Sequence, residues 1–456
     1  MNAYNLTYCT KKEHSSRAIA MYSQANTLTA RCLLLSVLLS IFSHYGYAQS
    51  PCVAKASLPA VTGTLVNVAT VEQLHTAISS LQDNTTLLLA PGTYHLNSTL
   101  YITKNNIAIR GDGDTCENVS LVGRGMDNSE YGDVPYGIWT NASGLAVMNL
   151  TIQDIYYHGI IYNPGAQTPT INSIHVLDIG QQFVKANPNA YGDGADNGLV
   201  ENSYFAYTST VPSTDHGSGV GYTNGIDVHG GRDWVIRANR FENLHMPDSA
   251  AWWWNPAILM WNGSANTLVE NNLFINVDRA ISYGLVQRGE GSDHSGGIIR
   301  NNMITYSQNL FSNGRKLDSD AAIIVWDSPS TTVVHNTILT NGNLNKSIEF
   351  RFNTEGSVAI NNLIDVAMGT RNSGNYSESG TLSTASNDLF VQPSTGNLRL
   401  LSTATSAMNR VSTSDHALND IDGDARSSSS LVDVGADEYQ ASNRPMPPDN
   451  LNVTEL

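Results

Sequence analysis

The chain has 456 residues and a formal net charge of −16, and only 14% of its residues are charged. That acidity excludes nucleic acid as a bulk electrostatic partner, because phosphates need a cationic surface. It leaves open an anionic sugar polymer held by a local basic patch. Sparse charge with abundant Asn, Ser, Thr and Gly suits a β-rich, turn-rich chain rather than a helical bundle.

Residues 1–48 read as a signal peptide. Arg31 precedes an apolar run from Leu33 to Phe42, and Gly46-Tyr47-Ala48 is small at the two positions a signal peptidase inspects. The run is too short to span a bilayer comfortably, so no membrane insertion is expected. Met21 is an alternative start, since the segment before it adds nothing to this pattern. The expected location is secreted or periplasmic. Cleavage at Ala48 leaves Cys52 and Cys116; in an oxidising compartment they most simply form one disulfide, with two free thiols as the alternative.

Val71 to Leu81 carries apolar residues at 71, 74, 77, 78 and 81, which predicts a short helix capping the N-terminal end of a β-rich body. From about residue 60 to 440 the chain reads as one solenoid. A recurring phrase places an apolar residue, a polar one, Asn or a small polar pair, and two more apolar residues. It starts at Val200, Ile236, Val269, Ile299, Val334 and Ala359, with irregular spacings of about 25 to 36 residues. Loops of varying length around a constant core produce that irregularity. Asn at one place on successive turns predicts side-chain amides that bond one another and cap the bend between strands.

A second phrase occurs later in each turn, beginning at Val184, Ile226, Ile258, Ile281, Ile323 and Ile348. Period-two alternation turns its first and third members inward and its second and fourth outward. One outward column then reads Lys185, Asp227, Leu259, Ser282, Ile324, Glu349; its neighbour reads Asn187, His229, Trp261, Gly284, Trp326, Arg351. Aromatic platforms beside charged and amide groups compose a sugar-binding surface. Farther on, Asp420, Asp422 and Asp424 alternate like a calcium loop but lack a Glu at the twelfth position, so a structural turn is expected. Residues 441–456, with Pro445, Pro447 and Pro448, read as a disordered proline-rich tail.

The segments Gln181–Pro188, Tyr222–Gly231, Ala257–Ser264 and His294–Asn302 resemble the secreted bacterial right-handed parallel β-helix proteins of the pectate-lyase-like superfamily. Asp420–Arg426 followed by Asp433–Tyr439 is similar to the closing coil of such proteins. The resemblance implies an all-β, single right-handed parallel β-helix over 49–440, monomeric and acting on an acidic polysaccharide. It implies a polysaccharide lyase working by β-elimination, with a glycoside hydrolase or uronate epimerase as alternatives and a non-catalytic carbohydrate-binding surface protein as a third class.

Elimination requires that the uronate carboxylate be neutralised before a base removes the α proton, by Ca²⁺, Arg, or Asn and His donors. Lys185 is the first candidate, as base or as carboxylate partner, although an Asp227 carboxylate one rung along favours its ammonium form. His229 avoids that conflict, because an imidazole titrates near neutrality; a scaffold role beside Gly230-Gly231 is its plainer reading. Asp227 is a candidate Ca²⁺ ligand and Arg279 a candidate carboxylate clamp. Asn187, Asn224, Trp261, Trp254, Trp326 and His158 are expected to contact substrate, and His175 to serve the scaffold. Hydrolysis needs a second carboxylate near Asp227, for which Asp193, Asp196 and Glu201 are the candidates.

Overall fold

The computed structural model describes residues 52–440, so the expected signal peptide and proline-rich tail lie outside the described residues. Three all-parallel sheets of twelve, ten and ten strands wind around one core. The ten-stranded sheet that carries the second phrase consists of β1 (Leu100–Ile102), β2 (Tyr136–Thr140), β3 (His158–Tyr162), β4 (Gln182–Ala186) and β5 (Asn224–His229), followed by β6 (Pro256–Trp261), β7 (Arg279–Tyr283), β8 (Ala321–Trp326), β9 (Lys346–Arg351) and β10 (Gly369–Arg371). Helix α1 (Val71–Ser79) forms where apolar spacing predicts it. Thr70 caps it, accepting the Gln73 N–H, and Leu74 is fully buried at the end of the stack where the sheets begin.

The core is built by the inward alternation. Val184, Ile226, Ile258, Ile281, Ile323 and Ile348 pair in register and are buried together. On another wall Phe205, Phe241 and Phe274 stack in series, with successive ring centroids 4.9 Å apart.

The Asn phrase straddles a corner between two sheets. Its first strand ends, one residue enters the left-handed region, and the next strand begins in another sheet. Asn202, Asn271, Asn301 and Asn361 take that corner with φ of 52° to 56°, a conformation that Asn tolerates because its short side chain bonds locally. The residue after the corner builds the ladder. Asn239, Asn272, Asn302, Asn336 and Asn362 are buried, and each Nδ2 donates to the next Oδ1 at 2.9–3.0 Å. One turn differs from expectation: Ile299 pairs with Val333, so that turn starts one residue before Val334. His335 occupies its left-handed corner at φ 52°. The lone Asn336 is a ladder residue, and reading it as the corner shifts the register by one.

Cys52 and Cys116 form a disulfide with Cα atoms 6.0 Å apart, tying the start of the described chain to an early turn. The closing segment departs from the expected last coil. Leu398, Val411, Ile421, Val434 and Ala436 pack with Met303, Leu339 and Leu363, covering the outer face of a sheet instead of extending the stack. Those outward apolar side chains need cover from water, and the segment's own apolar residues supply it. Asp420 accepts the backbone N–H groups of Asp422, Asp424 and Glu438, which makes it the anchor of a turn. No helix among the described residues is long and apolar enough to cross a membrane.

Candidate functional site

Parallel pairing sets Lys185 of β4 beside Asp227 of β5, Asp227 beside Leu259 of β6, and His229 beside Trp261. All four polar or aromatic side chains meet. Lys185 Nζ donates to Asp227 Oδ2 at 2.5 Å and lies 2.7 Å from His229 Nε2. Trp261 Nε1 donates to Asp227 Oδ1 at 2.9 Å, and its ring packs against the His229 imidazole with centroids 4.4 Å apart. An ammonium has only donors. Opposite that ammonium, His229 Nε2 accepts and the ring proton sits on Nδ1.

Asp227 is completely buried, whereas the Lys185 and His229 side chains remain 13% and 18% exposed. Burial by itself raises the Asp227 carboxyl; the Lys185 ammonium against it outweighs that and holds the group well below the usual carboxylate range. The result is a permanently charged anchor beneath two groups that reach the surface. Tyr222, half-buried, has its hydroxyl pushed up by burial and by the Asp227 charge.

Around this centre the remaining expected residues separate. His158 on β3 is stacked on Tyr136, centroids 5.4 Å apart. Desolvation, then the Lys185 charge, push its imidazole down to about 3, so it is neutral. Its Nδ1 has no hydrogen-bond partner among the described residues, and neither does the Oδ1 of buried Asn224, whose Nδ2 donates to the Pro256 carbonyl at 2.7 Å. Asn187 follows β4 on the His229 side and donates to Asn163 Oδ1 at 2.9 Å. His175 is buried outside this sheet, in the strand His175–Ile179.

Three expectations are corrected. Arg279 stands on β7, three rungs from Lys185, ion-paired to Asp320 and stacked over Trp326; it does not reach the Lys185 centre. Trp326 is buried beneath arginines and donates to Glu349 Oε1 at 3.1 Å, so it offers no open face to a sugar. Trp254 is buried in the core against Phe311, under the Arg315 guanidinium; Trp252, two residues earlier, is the exposed member of that triplet. Outward position in a strand or loop does not guarantee exposure once neighbouring turns contribute long side chains.

The Ca²⁺ expectation at Asp227 also fails on donor chemistry. Its oxygens face an ammonium, an indole N–H and an imidazole, a set that suits an anion's neighbours and not a hard cation's oxygen shell. Of the acidic candidates for a second hydrolytic carboxylate, Glu201 is in the twelve-stranded sheet paired with Arg237, Asp196 accepts the Arg232 backbone N–H, and Asp193 lies against Gly230 but accepts from Asn189 Nδ2 at 3.0 Å.

Sequence reasoning missed Arg288. It lies in the loop after β7, paired with Asp293 at 2.6 Å, and its guanidinium is 5.9 Å from the Trp261 ring centroid and 5.8 Å from that of Tyr191. No strand phrase contains it. The only hint was an arginine in a long insertion just after an outward column.

The coils, register and parallel sheets define a right-handed parallel β-helix. Among solved structures, the pectate lyase Pel9A is 12% identical over 86% of this chain and 99% of that chain, with a TM-score of 0.51. An alginate lyase from Paenibacillus sp. str. FPU-7 is 16% identical over 70% of this chain and 94% of that one, TM-score 0.41. The tailspike protein of E. coli bacteriophage HK620 is 14% identical over 74% and 61%, TM-score 0.46. At such identities the likeness shows the fold alone. No family model and no curated protein matches the sequence.

Proposed function

We propose that this chain is a secreted carbohydrate-active enzyme that cleaves a uronic-acid polysaccharide by β-elimination at the Lys185–Asp227–His229 centre. The observation that carries the reading is the geometry of that cluster: a buried carboxylate holds an ammonium against the lone pair of a surface-reaching imidazole. A polymer whose pectate-lyase and alginate-lyase namesakes share this fold is the natural substrate class, and a disulfide suits an extracellular site of action.

Each residue has a defined task. Lys185 keeps one donor on Asp227 and turns the others, including the one that faced His229, to the substrate carboxylate and neutralises it, which acidifies the adjacent C–H. Its move releases His229 Nε2, which takes the proton while the C–H electron pair forms the new C=C bond and the bond to the leaving oxygen breaks; that oxygen takes up a proton from water or from the His229 imidazolium. Asp227 orients both residues and Trp261 without itself reacting. Hydrolysis draws less support, because Asp227 is held ionised by its neighbours and cannot donate a proton to a leaving group.

Incubation of the mature protein with alginate, pectate and glycosaminoglycans separates the reactions. Rising ultraviolet absorbance marks unsaturated uronate; new reducing ends without absorbance mark hydrolysis and overturn the reading. His229→Ala is expected to lower kcat/KM by about 10²- to 10⁴-fold. Full activity in both His229→Ala and Lys185→Ala would remove the site.

A further inference from the structure

We propose that Arg351 binds an acidic group of the polymer, a carboxylate or sulfate ester, in a distal subsite on the face that carries His229; this rests on the polysaccharide reading above. Arg351 belongs to the His229 column. From His229 it passes through Trp261, Gly284 and Trp326, so Arg351 lies four rungs away, roughly 19 Å at the strand spacing. A group held there belongs to a sugar several units from the one being cleaved.

The arginines around Trp326 differ in their commitments. Arg279 is paired with Asp320, Arg371 with Asp320 and Glu349, and Lys346 with Glu349 at 2.9 Å. Three cations therefore share two carboxylates, and Arg351 is a fourth cation beside them, in a protein whose net charge is −16. Arg351 is the one with no ion-pair partner among the described residues. Its guanidinium sits in the corner formed by two near-perpendicular rings, 4.5 Å from the Trp326 centroid and 4.3 Å from that of Phe352. Its Nε donates to Asn372 Oδ1 at 2.8 Å. The two terminal amino groups make no hydrogen bond or ion pair among the described residues, on a half-buried side chain, and form the planar fork that pairs two-for-two with a carboxylate or sulfate. Arg371 beside it repels it, and a bound anion relieves that repulsion. Contact with both rings and the bond to Asn372 restrict the side chain and lower the ordering cost before ligand arrives.

The test uses the full mature chain carrying His229→Ala, so that polymer is bound and not consumed, with and without Arg351→Gln. Calorimetry follows binding of polygalacturonate, alginate and chondroitin sulfate, and of disaccharide fragments from each. Arg351→Gln is expected to weaken long-chain binding about tenfold while leaving disaccharide binding and the melting midpoint unchanged, with partial recovery in Arg351→Lys. Polygalacturonate and alginate carry carboxylates alone, so weakening on them assigns the carboxylate, and weakening confined to chondroitin sulfate assigns the sulfate ester. Equal affinity for long chains, or a lowered midpoint with loss at every length, assigns Arg351 to packing over Trp326 and overturns the inference. Weakened long-chain binding in a protein whose wild type performs no elimination keeps the subsite and sinks the lyase reading instead. Absence of binding to every polymer sinks both.

Discussion

Two buried carboxylates in this molecule have opposite fates. Asp227, under the exposed centre, is held well below the ordinary carboxylate range, while Asp437, in the closing segment, is pushed up to about 8. Burial acts upward on both. Asp227 has the Lys185 ammonium and the Trp261 indole N–H aimed at its oxygens, whereas Asp437 accepts one backbone N–H, from Leu400, and has the carboxyls of Asp420 and Asp422 nearby, with Arg399 too weak an opposing charge to offset them. Asp420 and Glu438 are themselves raised, to about 6 and about 7, with burial as the leading cause. Desolvation sets the default, and the neighbours decide whether a buried acid is a charged anchor or a proton store. The first arrangement serves chemistry. The second ties the stability of the closing segment to pH.

The comparison breaks most sharply at Asp227. Asp227→Asn keeps the shape but leaves the Lys185 ammonium half-buried without its countercharge, and is expected to lower the unfolding free energy by about 3 kcal/mol and abolish most activity. Denaturant melts at pH 7 read the loss. Because the folded-state carboxyl is depressed, its contribution is present above the unfolded value of about 4 and disappears as pH falls through the folded value. The gap between wild type and variant should therefore narrow below about pH 4. A gap that persists there assigns the loss to packing.

Asp437 runs the other way. Its folded form holds a proton more tightly than the unfolded chain, so its contribution is full below about pH 4 and is lost as pH rises to about 8. Amide exchange across residues 398–439, corrected for its intrinsic pH dependence, should quicken between pH 5 and 8. Asp437→Asn preserves an acceptor for Leu400, and is expected to flatten that dependence and raise the midpoint at pH 8 by about 2–4 °C. An unchanged pH profile would clear Asp437 of any part in it. The smallest effect belongs to Trp261→Phe, which keeps a ring against His229 and deletes the indole bond to Asp227. It should cost about 1 kcal/mol of stability and raise KM more than it lowers kcat. A larger fall in kcat would make the indole part of the charge balance.

Much of this architecture is written locally. Alternation within a strand decides which side chains turn inward, and apolar repeats at Ile226, Ile258, Ile281, Ile323 and Ile348 pin the register of successive turns, because a one-residue slip would expose the core face. The contact of Lys185 with Asp227 and His229 follows from that register. So does the asparagine ladder, apart from the turn at Val333, where a histidine at the corner hid the phase. Other features depend on partners far away in the chain, and no local pattern encodes them. Asp320 claims Arg279, three arginines from separate turns bury Trp326, and Phe311 with Arg315 encloses Trp254. Arg288 reaches Trp261 from an insertion whose path is fixed only by what it packs against. The sequence by itself determined the coil, its inward face and the two outward columns, since period and polarity are properties of short segments. Tertiary structure alone decided which outward residues stay open and which carboxylates stay charged, since exposure and electrostatics sum over every turn that comes near.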